Sequence, residues 1–273
     1  MKTILLACLL GLLSSSVYAD THVKPLTVGV VPQFDARKIQ SVWQPILDEL
    51  TRRTDIRFEL LGSPTIPEFE KKFVNGDFDI VYLNPYHQII ANQKQGYLPI
   101  LNDESKKLFG ILVVAKDSPV QRIEELQGQT IAFPAPNALG ASLMIRADLF
   151  TKFNVNIIPK YVKTHTSVYL NTALHKTSAG GGIMRTFNEQ PDAVRDSLKI
   201  IYETTKVPPH PISVHPRVSP QITDRLQQAF LEIGKTETGQ KMLAQIPIKK
   251  ISRTSQAEYT PLASMGLEKF YEE

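Results

Sequence analysis

A proline-rich connection at 134–142 combines residue types and spacing that suit the binding of an anion. An apolar run at 130–133 predicts a strand before it, and a helix is predicted from about Ser142 to Phe153. The prolines stiffen the connection, and Gly140 allows a sharp turn or the close approach of a bound group. Backbone N–H groups at a helix start attract negative charge, although a plain strand-to-helix connection explains the same residues. The candidate ligand-binding residues here are Pro136, Asn137, Ala138, Gly140, Ala141 and Ser142.

Aromatic and amide side chains follow two other predicted strands. They are Gln33 and Phe34 after the run at 26–31, and Tyr82, Asn84 and Tyr86 at the end of the run at 79–83. Aromatic faces give a binding wall its shape, and phenol and amide groups supply hydrogen bonds. The alternative is structural, with Tyr82 in the core and Asn84 only capping the next helix.

A third group of candidates precedes a helix predicted near 168–176. His165 can donate a hydrogen bond to an anion, and Thr166 and Ser167 are predicted to cap the helix and so expose N–H groups to a ligand. A capping or surface histidine is the alternative for His165. In the glycine run at 180–182, Gly181 permits the close approach of a ligand or a bend beside a hinge.

Alternating strands and helices along the chain predict an α/β fold. The segment 109–203 has the pattern of a complete α/β unit. We therefore expect two lobes, one formed by 20–108 plus 204–273 and the other by 109–203, with crossover strands acting as hinges. Ligands of open α/β sheets bind where strand ends meet helix starts, so we expect the site in the cleft between the lobes.

Residues 1–19 have the composition of a secretory signal peptide. A basic start precedes an apolar run that is too short for a membrane span, and small residues lead to a predicted cleavage after Ala19. A lipoprotein box ending at Cys8 is the alternative interpretation. Cys8 is the only cysteine, so disulfides and cysteine chemistry are not expected in the exported protein. The sequence therefore predicts export from the cytoplasm.

Other function classes find little support in the sequence. The net charge of +4 is spread over short basic runs without interleaved aromatic residues, so nucleic-acid binding is not expected. His210 and His215 lack a convincing metal-binding pattern, and neither a metal nor a cofactor is expected. Nucleophilic triads, paired acids and catalytic cysteines are not recognisable, so we do not expect an enzyme.

The chain resembles the periplasmic substrate-binding proteins of phosphate, phosphite and phosphonate ABC transporters over almost all of its exported length. The resemblance is carried by the segments at 69–85 and 123–134, by His165, and by the segments at 201–204 and 208–211. It implies the type II periplasmic binding protein fold. It also implies a small, anionic, phosphonate-like ligand that is delivered to an ABC permease.

The chain departs from this family at two places. Successive Ser and Thr hydroxyls are implied in the ligand loop, but Asn137, Ala138, Leu139 and Gly140 stand at the matching positions. An acidic partner for an aminophosphonate is implied where the chain reads 179–182 as alanine and glycine. These departures favour a smaller or neutral-tailed ligand. The alternative partner is a membrane sensor, such as a histidine kinase or a diguanylate cyclase.

Overall fold

A computed structural model describes residues 24–272 of the chain. The predicted signal peptide at 1–19 and its cleavage site lie outside the described residues. Among the residues described, no helix combines the length and apolar character that a membrane span requires. The strands form two separate sheets, one with six strands and one with five. The α/β fold predicted from the sequence is confirmed.

The six-stranded sheet and its helices are called the large lobe here. Its strands are β1 (Leu26–Val30), β2 (Phe58–Leu60), β3 (Ile80–Tyr82), β4 (Leu98–Asp103), β10 (Ile212–Val214) and β11 (Ile251–Arg253). They lie in the order β11-β4-β10-β3-β1-β2. Strand β1 pairs in parallel with β2 and β3, whereas β10 is antiparallel to β3 and β4. This reversal brings the start of β10 to the edge where β1 and β3 end.

The five-stranded sheet and its helices are called the small lobe. Its strands are β5 (Ile111–Ala115), β6 (Thr130–Phe133), β7 (Ile158–Tyr161), β8 (Ala179–Gly182) and β9 (Leu198–Glu203). They lie in the order β7-β6-β8-β5-β9. Strand β6 corresponds to the apolar run at 130–133, for which a strand was predicted. It runs parallel to both β7 and β8. The ends of β6 and β7 therefore meet at one edge of this sheet.

Helices cover both sheets. They are α1 (Ala36–Thr54), α2 (Ile66–Asn75), α3 (Pro85–Gln95), α4 (Met144–Thr151), α5 (His165–Ala173), α6 (Met184–Asn188), α7 (Asp192–Arg195), α8 (Pro220–Ile233), α9 (Glu237–Gln245) and α10 (Gln256–Tyr259). A π-helical turn at Leu139–Leu143 leads directly into α4. Short 3₁₀ turns lie at Ile123–Leu126, Thr260–Ser264 and Leu267–Lys269.

Both helices that begin at the cleft start earlier than the sequence predicts. The helical turn before α4 begins at Leu139 rather than near Ser142, and α5 begins at His165 rather than near Val168. Ala138, at the cap position of the first turn, has no side chain that could signal a helix start. The cap of α5 is Thr164, whose hydroxyl accepts a hydrogen bond from the Ser167 amide at 3.1 Å. The predicted capping role of Thr166 and Ser167 is therefore wrong.

The chain passes between the two sheets twice, along adjacent paths. Leu108 and Val207 exchange two backbone hydrogen bonds of 2.8 Å each, and the Thr204 amide donates to the Gly110 carbonyl at 3.0 Å. The Gly110 amide in turn donates to the Thr204 hydroxyl at 2.8 Å. The division into two lobes that move about these crossings stays a prediction.

The lobes pack against each other in this structure. Ala138, Ala141 and Ile183 of the small lobe belong to the same buried apolar cluster as Val31 and Ile66 of the large lobe. Buried apolar contact of this kind favours the closed arrangement. The two lobes are therefore in direct contact across the cleft in this structure.

Candidate ligand-binding cleft

A narrow cavity of about 20 Å³, called the head cavity here, lies between the lobes. It has room on the order of one water molecule. Six of the candidates proposed from the sequence line it: Gln33, Asn84, Ala138, Gly140, Ala141 and His165. The other lining residues were not expected from the sequence to contact a ligand; they are Val31, Ile66, Leu108, Leu139, Ile183 and His210. Most of the polar groups follow strand ends, where ligands of open α/β sheets bind.

Backbone amides form one wall of the head cavity. The amides of Ser142 and Leu143 both donate to the Ala138 carbonyl, at 2.7 and 3.2 Å, so Ala138 is the first acceptor of this helical turn. The amides of Leu139, Gly140 and Ala141 precede that point and have no acceptor within the turn. All three residues line the cavity. Their N–H groups give it the polarity that suits a bound anion.

Gly140 is required by packing against protein. A Cβ atom at this position would lie 2.9 Å from Cγ2 of Ile183 and 3.2 Å from the Phe109 carbonyl oxygen. The bare backbone therefore lets the helical turn at Leu139–Leu143, called the amide turn here, approach the crossing of the chain at Phe109. This contact holds the turn at the edge of the cavity.

His165 faces the head cavity from the first turn of α5. Its Nδ1 lies 3.2 Å from the Thr186 hydroxyl, and only 7% of the residue is exposed. Burial lowers the pKa of His165 to about 4. The imidazole is therefore neutral near pH 7 and can donate only the single proton that it keeps.

A second histidine, His210, faces the cavity from the large lobe. Its Nε2 lies 3.1 Å from Gln33 Nε2, and its ring stacks on Tyr82 with 5.4 Å between centroids. Burial lowers the pKa of His210 to about 3, and the positive charge of Lys106 acts in the same direction. From the sequence, His210 had no expected role in ligand binding, and its spacing from His215 did not indicate a metal site. Its position at the start of antiparallel β10, which brings it to this edge, was not visible from the sequence pattern.

The electrostatic character of the head cavity follows from these groups. Among the described residues that line it, only His165 and His210 can ionise, and both are neutral near pH 7. An anion would therefore be held by backbone amides, by the carboxamides of Gln33 and Asn84, and by neutral imidazole N–H groups. Neutral donors of this kind are effective where water is excluded, because the dielectric constant there is low.

Asn84 combines the two roles that the sequence left open. Its Oδ1 accepts hydrogen bonds from the Tyr86 and His87 amides at 2.9 and 2.8 Å, which caps α3. Its Nδ2 donates to the Asn137 carbonyl of the opposite lobe at 3.2 Å. Asn84 therefore lines the cavity and also joins the large lobe to the amide turn.

The Asn137 side chain is committed to contacts away from the head cavity. Its Nδ2 donates to the Glu70 carboxylate at 3.1 Å and to the Glu272 carbonyl at 2.6 Å. Its Oδ1 accepts a hydrogen bond from the Glu272 amide at 2.9 Å. The carboxamide thus has its donors and its acceptor occupied by protein. Pro136 lies on the same side, where its carbonyl accepts from Arg146 Nη2 at 2.8 Å.

Four other candidates do not reach the head cavity. Ser142 is fully buried and its hydroxyl has no hydrogen-bond partner in the described part of the chain. Thr166 is exposed, and the Ser167 hydroxyl accepts a hydrogen bond from Thr164 at 2.9 Å. Gly181 lies in β8, where a Cβ atom would meet the Ala141 carbonyl at 2.1 Å, so its close approach is to the chain itself.

The three aromatic candidates have different surroundings. Tyr86 is buried, and its ring lies 5.8 Å from that of Tyr271, outside the head cavity. Tyr82 is in the core, as the structural interpretation expected, and burial raises its pKa. It also lines a wider cavity beside the first. Phe34 lies at the rim of the cleft, where the Arg185 guanidinium stands 5.1 Å from its ring centroid.

Comparison with known proteins identifies a family. A family model described as the periplasmic substrate-binding protein of a phosphonate ABC transporter matches residues 28–259. A phosphonates-binding periplasmic protein of Escherichia coli K12 is 20% identical, and the alignment covers 94% of this chain and 80% of that protein.

Two solved structures have closely similar backbones. One is a binding protein component of an ABC phosphonate transporter from Pseudomonas aeruginosa, with a TM-score of 0.79, 16% identity, and coverage of 90% of this chain and 86% of that one. The other is PhnD1 from Prochlorococcus marinus in complex with methylphosphonate, with a TM-score of 0.79, 14% identity, and coverage of 90% and 98%. The two-lobe type II periplasmic binding protein fold is thereby confirmed.

Proposed function

Because the chain belongs to the family of periplasmic substrate-binding proteins of phosphonate ABC transporters, we propose that it binds a small phosphonate-type oxyanion between its lobes. The anionic group would accept hydrogen bonds from the amides of Leu139, Gly140 and Ala141, and from His165 across the cavity. Members of this family are transport components, and the chain is accordingly a binding protein and not an enzyme.

One observation carries the proposal. The cleft gathers helix-start amides that have no acceptor within their own turn and a buried neutral histidine around a cavity whose described lining residues hold no charge near pH 7. A bound oxyanion would supply the negative charge that this arrangement of donors lacks. Hydrogen bonds to a charged group contribute roughly 1.5–3 kcal/mol each, so a few such bonds suffice for tight binding.

The amide turn also explains how binding can proceed without the hydroxyls of the family. Ala138 and Leu139 supply no side-chain donor, but the N–H groups of the turn are properties of the backbone and remain available. We therefore expect the chain to bind the anion through main-chain groups. Selectivity among oxyanions would then depend on size and shape more than on side-chain donors.

Closure of the lobes links binding to transport. The same surfaces that form the head cavity also pack the lobes together through Ala138, Ala141 and Ile183. A ligand that bridges the amide turn and the large lobe would stabilise a closed arrangement in which the head cavity has widened to hold the phosphonate group, and the ABC permease would then recognise that arrangement. Family membership favours that partner over the membrane sensor considered from the sequence.

Isothermal titration calorimetry with a panel of oxyanions tests this function. The panel contains methylphosphonate, phosphite, phosphate, sulfate and acetate, and we expect binding of the phosphorus oxyanions. A ligand present at 100 times its Kd stabilises the protein by about 2.7 kcal/mol, so a thermal-melt assay gives an independent reading. We expect His165→Leu to weaken binding roughly tenfold or more, because leucine has no N–H group to donate to the anion, and exposed His175→Leu to leave it unchanged. Absence of binding by every phosphorus oxyanion would overturn the proposal.

A further inference from the structure

A wider cavity of about 240 Å³, called the tail cavity here, adjoins the head cavity. The two share Gln33, Leu108, Ile183 and His210 as lining residues, so a ligand held in one can extend into the other. Apolar side chains form much of its wall, among them Phe109, Met184 and Ile248. The shape and the apolar wall suit a short carbon chain attached to the anionic head.

Three cations line the tail cavity, namely Lys106, Lys107 and Arg185, together with the single carboxylate of Asp103. That carboxylate is already satisfied, because it accepts hydrogen bonds from the Lys249 and Lys250 amides at 3.1 and 3.0 Å and from the Ser105 hydroxyl at 2.7 Å. It is also almost fully buried. No carboxylate among the described lining residues is therefore free to receive an ammonium group.

The cations differ in how far their charge is already compensated. Arg185 is paired with Glu189 at 2.9 Å. Lys106 lies 3.4 Å from the buried Asp103 carboxylate and also donates to the Pro247 carbonyl. Lys107 is exposed and has no partner among the described residues. The charge at this end of the cleft is consequently positive, and Lys107 contributes most of the uncompensated part.

The positive charge of two of these side chains lowers the pKa of a histidine inside the cleft. After burial, the positive charge of Lys106 is the next cause of the lowered pKa of His210, and Arg185 acts in the same direction. Both cations therefore raise the electrostatic potential at the boundary between the two cavities. A positive potential attracts a second negative group on the ligand and repels an ammonium group.

We propose that the ligand is a phosphonate whose short carbon chain ends in a carboxylate, with the carboxylate directed towards Lys106 and Lys107 in the tail cavity. The inference rests on the proposed function, because it takes the phosphonate group to lie in the head cavity. The carbon chain would lie against Leu108, Ile183 and Met184. Aminophosphonates of the same length are disfavoured, since their ammonium group would meet cations.

Calorimetric titration at low ionic strength with four ligands tests the inference. Methylphosphonate reports on the head cavity alone, and propylphosphonate, 3-phosphonopropionate and 3-aminopropylphosphonate differ at the tail. We expect 3-phosphonopropionate to bind about fivefold or more tightly than propylphosphonate, as one contact between charges in water would give. The amine, 3-aminopropylphosphonate, should bind more weakly than propylphosphonate.

Two outcomes would contradict the proposals. If methylphosphonate binds and 3-aminopropylphosphonate binds as tightly as 3-phosphonopropionate, this inference is overturned while the proposed function stands. If none of the four binds, both are overturned.

Reversal of one charge gives a sharper test. Lys107→Glu alters an exposed side chain, so folding should be preserved, and it should reverse the order of the carboxylate and the amine. Lys160→Glu, an equal charge change at an exposed position of β7, is the matched control and should keep the original order. An unchanged preference in Lys107→Glu, or an equal change in both variants, would contradict a direct role for the tail cavity.

Discussion

Asn137 and Glu272 are joined by two opposed hydrogen bonds: Asn137 Nδ2 donates to the Glu272 carbonyl at 2.6 Å, and the Glu272 amide donates to Asn137 Oδ1 at 2.9 Å. The Asn137 side chain therefore pairs with a backbone segment 135 residues away. Arg146 strengthens the contact by donating to the Phe270 carbonyl. The segment at 270–272 thus holds the side of the amide turn that faces away from the head cavity.

Removal of the Asn137 carboxamide should destabilise the fold. In Asn137→Ala, the Glu70 carboxylate and the Glu272 backbone lose partners in a largely buried position. We expect a loss of about 1–3 kcal/mol in the free energy of unfolding, measured by urea denaturation. Asn188→Ala, at an exposed position, is the control and should change it little. Unaltered stability combined with a large loss of ligand affinity would instead identify Asn137 as a direct ligand donor.

A methyl group at Gly181 should disturb the support of the amide turn. The Cβ atom of Gly181→Ala would lie 2.1 Å from the Ala141 carbonyl oxygen, so either the turn or β8 must shift. We expect a destabilisation of about 1–3 kcal/mol together with weaker ligand binding. Gly62→Ala is the matched control, because a Cβ atom there meets no atom within 4 Å. Equal melting temperatures for the two variants would show that β8 does not support the turn.

The start of helix α5 can be located by comparing the effects on stability of substitutions at Thr164 and Thr166. Thr164→Ala removes the hydroxyl that caps α5 and should lower the free energy of unfolding by about 0.5–2 kcal/mol. Thr166→Ala alters an exposed side chain and should have little effect on stability or ligand affinity. Chemical denaturation of both variants decides the question. A larger effect at Thr166 would restore the helix start near Val168 that the sequence predicts.

Stability should fall on acidification because two histidines are buried in their neutral form. The pKa of His165 is about 4 and that of His210 about 3 in the folded protein, against an ordinary value of 6.5. Below pH 6.5 the unfolded chain therefore binds more protons than the folded one. Each histidine should lower the free energy of unfolding by up to about 1.4 kcal/mol per pH unit as the pH falls towards its folded pKa, with no effect above pH 6.5.

Urea denaturation at a series of pH values between 7.5 and roughly 4.5 checks this dependence. The slope of stability against pH should be smaller in His165→Gln than in the unaltered chain, whatever the stability of the variant at pH 7. His175→Gln, which alters an exposed histidine, is the control for the substitution itself. Parallel slopes for His165→Gln and the unaltered chain would mean that His165 is not buried in its neutral form.

The fold was predictable because its signals are local. Apolar runs of strand length alternate with helical periodicity, and each of the runs at 26–31, 79–83 and 130–133 became a strand. The exact starts of the cleft helices were not predictable. Ala138 carries no capping group, and next to Thr164 the sequence offers Thr166 and Ser167, which are equally suitable in type.

The candidate site was predictable where residues follow parallel strands. Asn84, Ala138 and His165 reach the head cavity for this reason. His210 precedes a strand, and it reaches the same edge only because β10 runs antiparallel to β3. No local signal in the sequence shows that orientation.

The direction of the Asn137 side chain was also beyond sequence reasoning. Its amide type suits an anion as well as it suits protein partners, and the choice between them depends on Glu70 and Glu272, which are distant in the chain. Ala138, the next residue, lines the head cavity. Two adjacent residues therefore differ in role, because Ala138 can contact a ligand whereas the Asn137 side chain makes its hydrogen bonds within the protein.

Nuclear magnetic resonance of backbone amides tests the central claim most directly. In a ¹H–¹⁵N titration with methylphosphonate, we expect the largest downfield proton shifts at the amides of Leu139, Gly140 and Ala141, since hydrogen bonds to an oxyanion deshield the donor proton. The Asn137 side-chain amide and the Ser167 amide, which already donate within the protein, should shift much less. Saturating shifts confined to other residues, with the turn amides unmoved, would contradict binding of the anion by this turn.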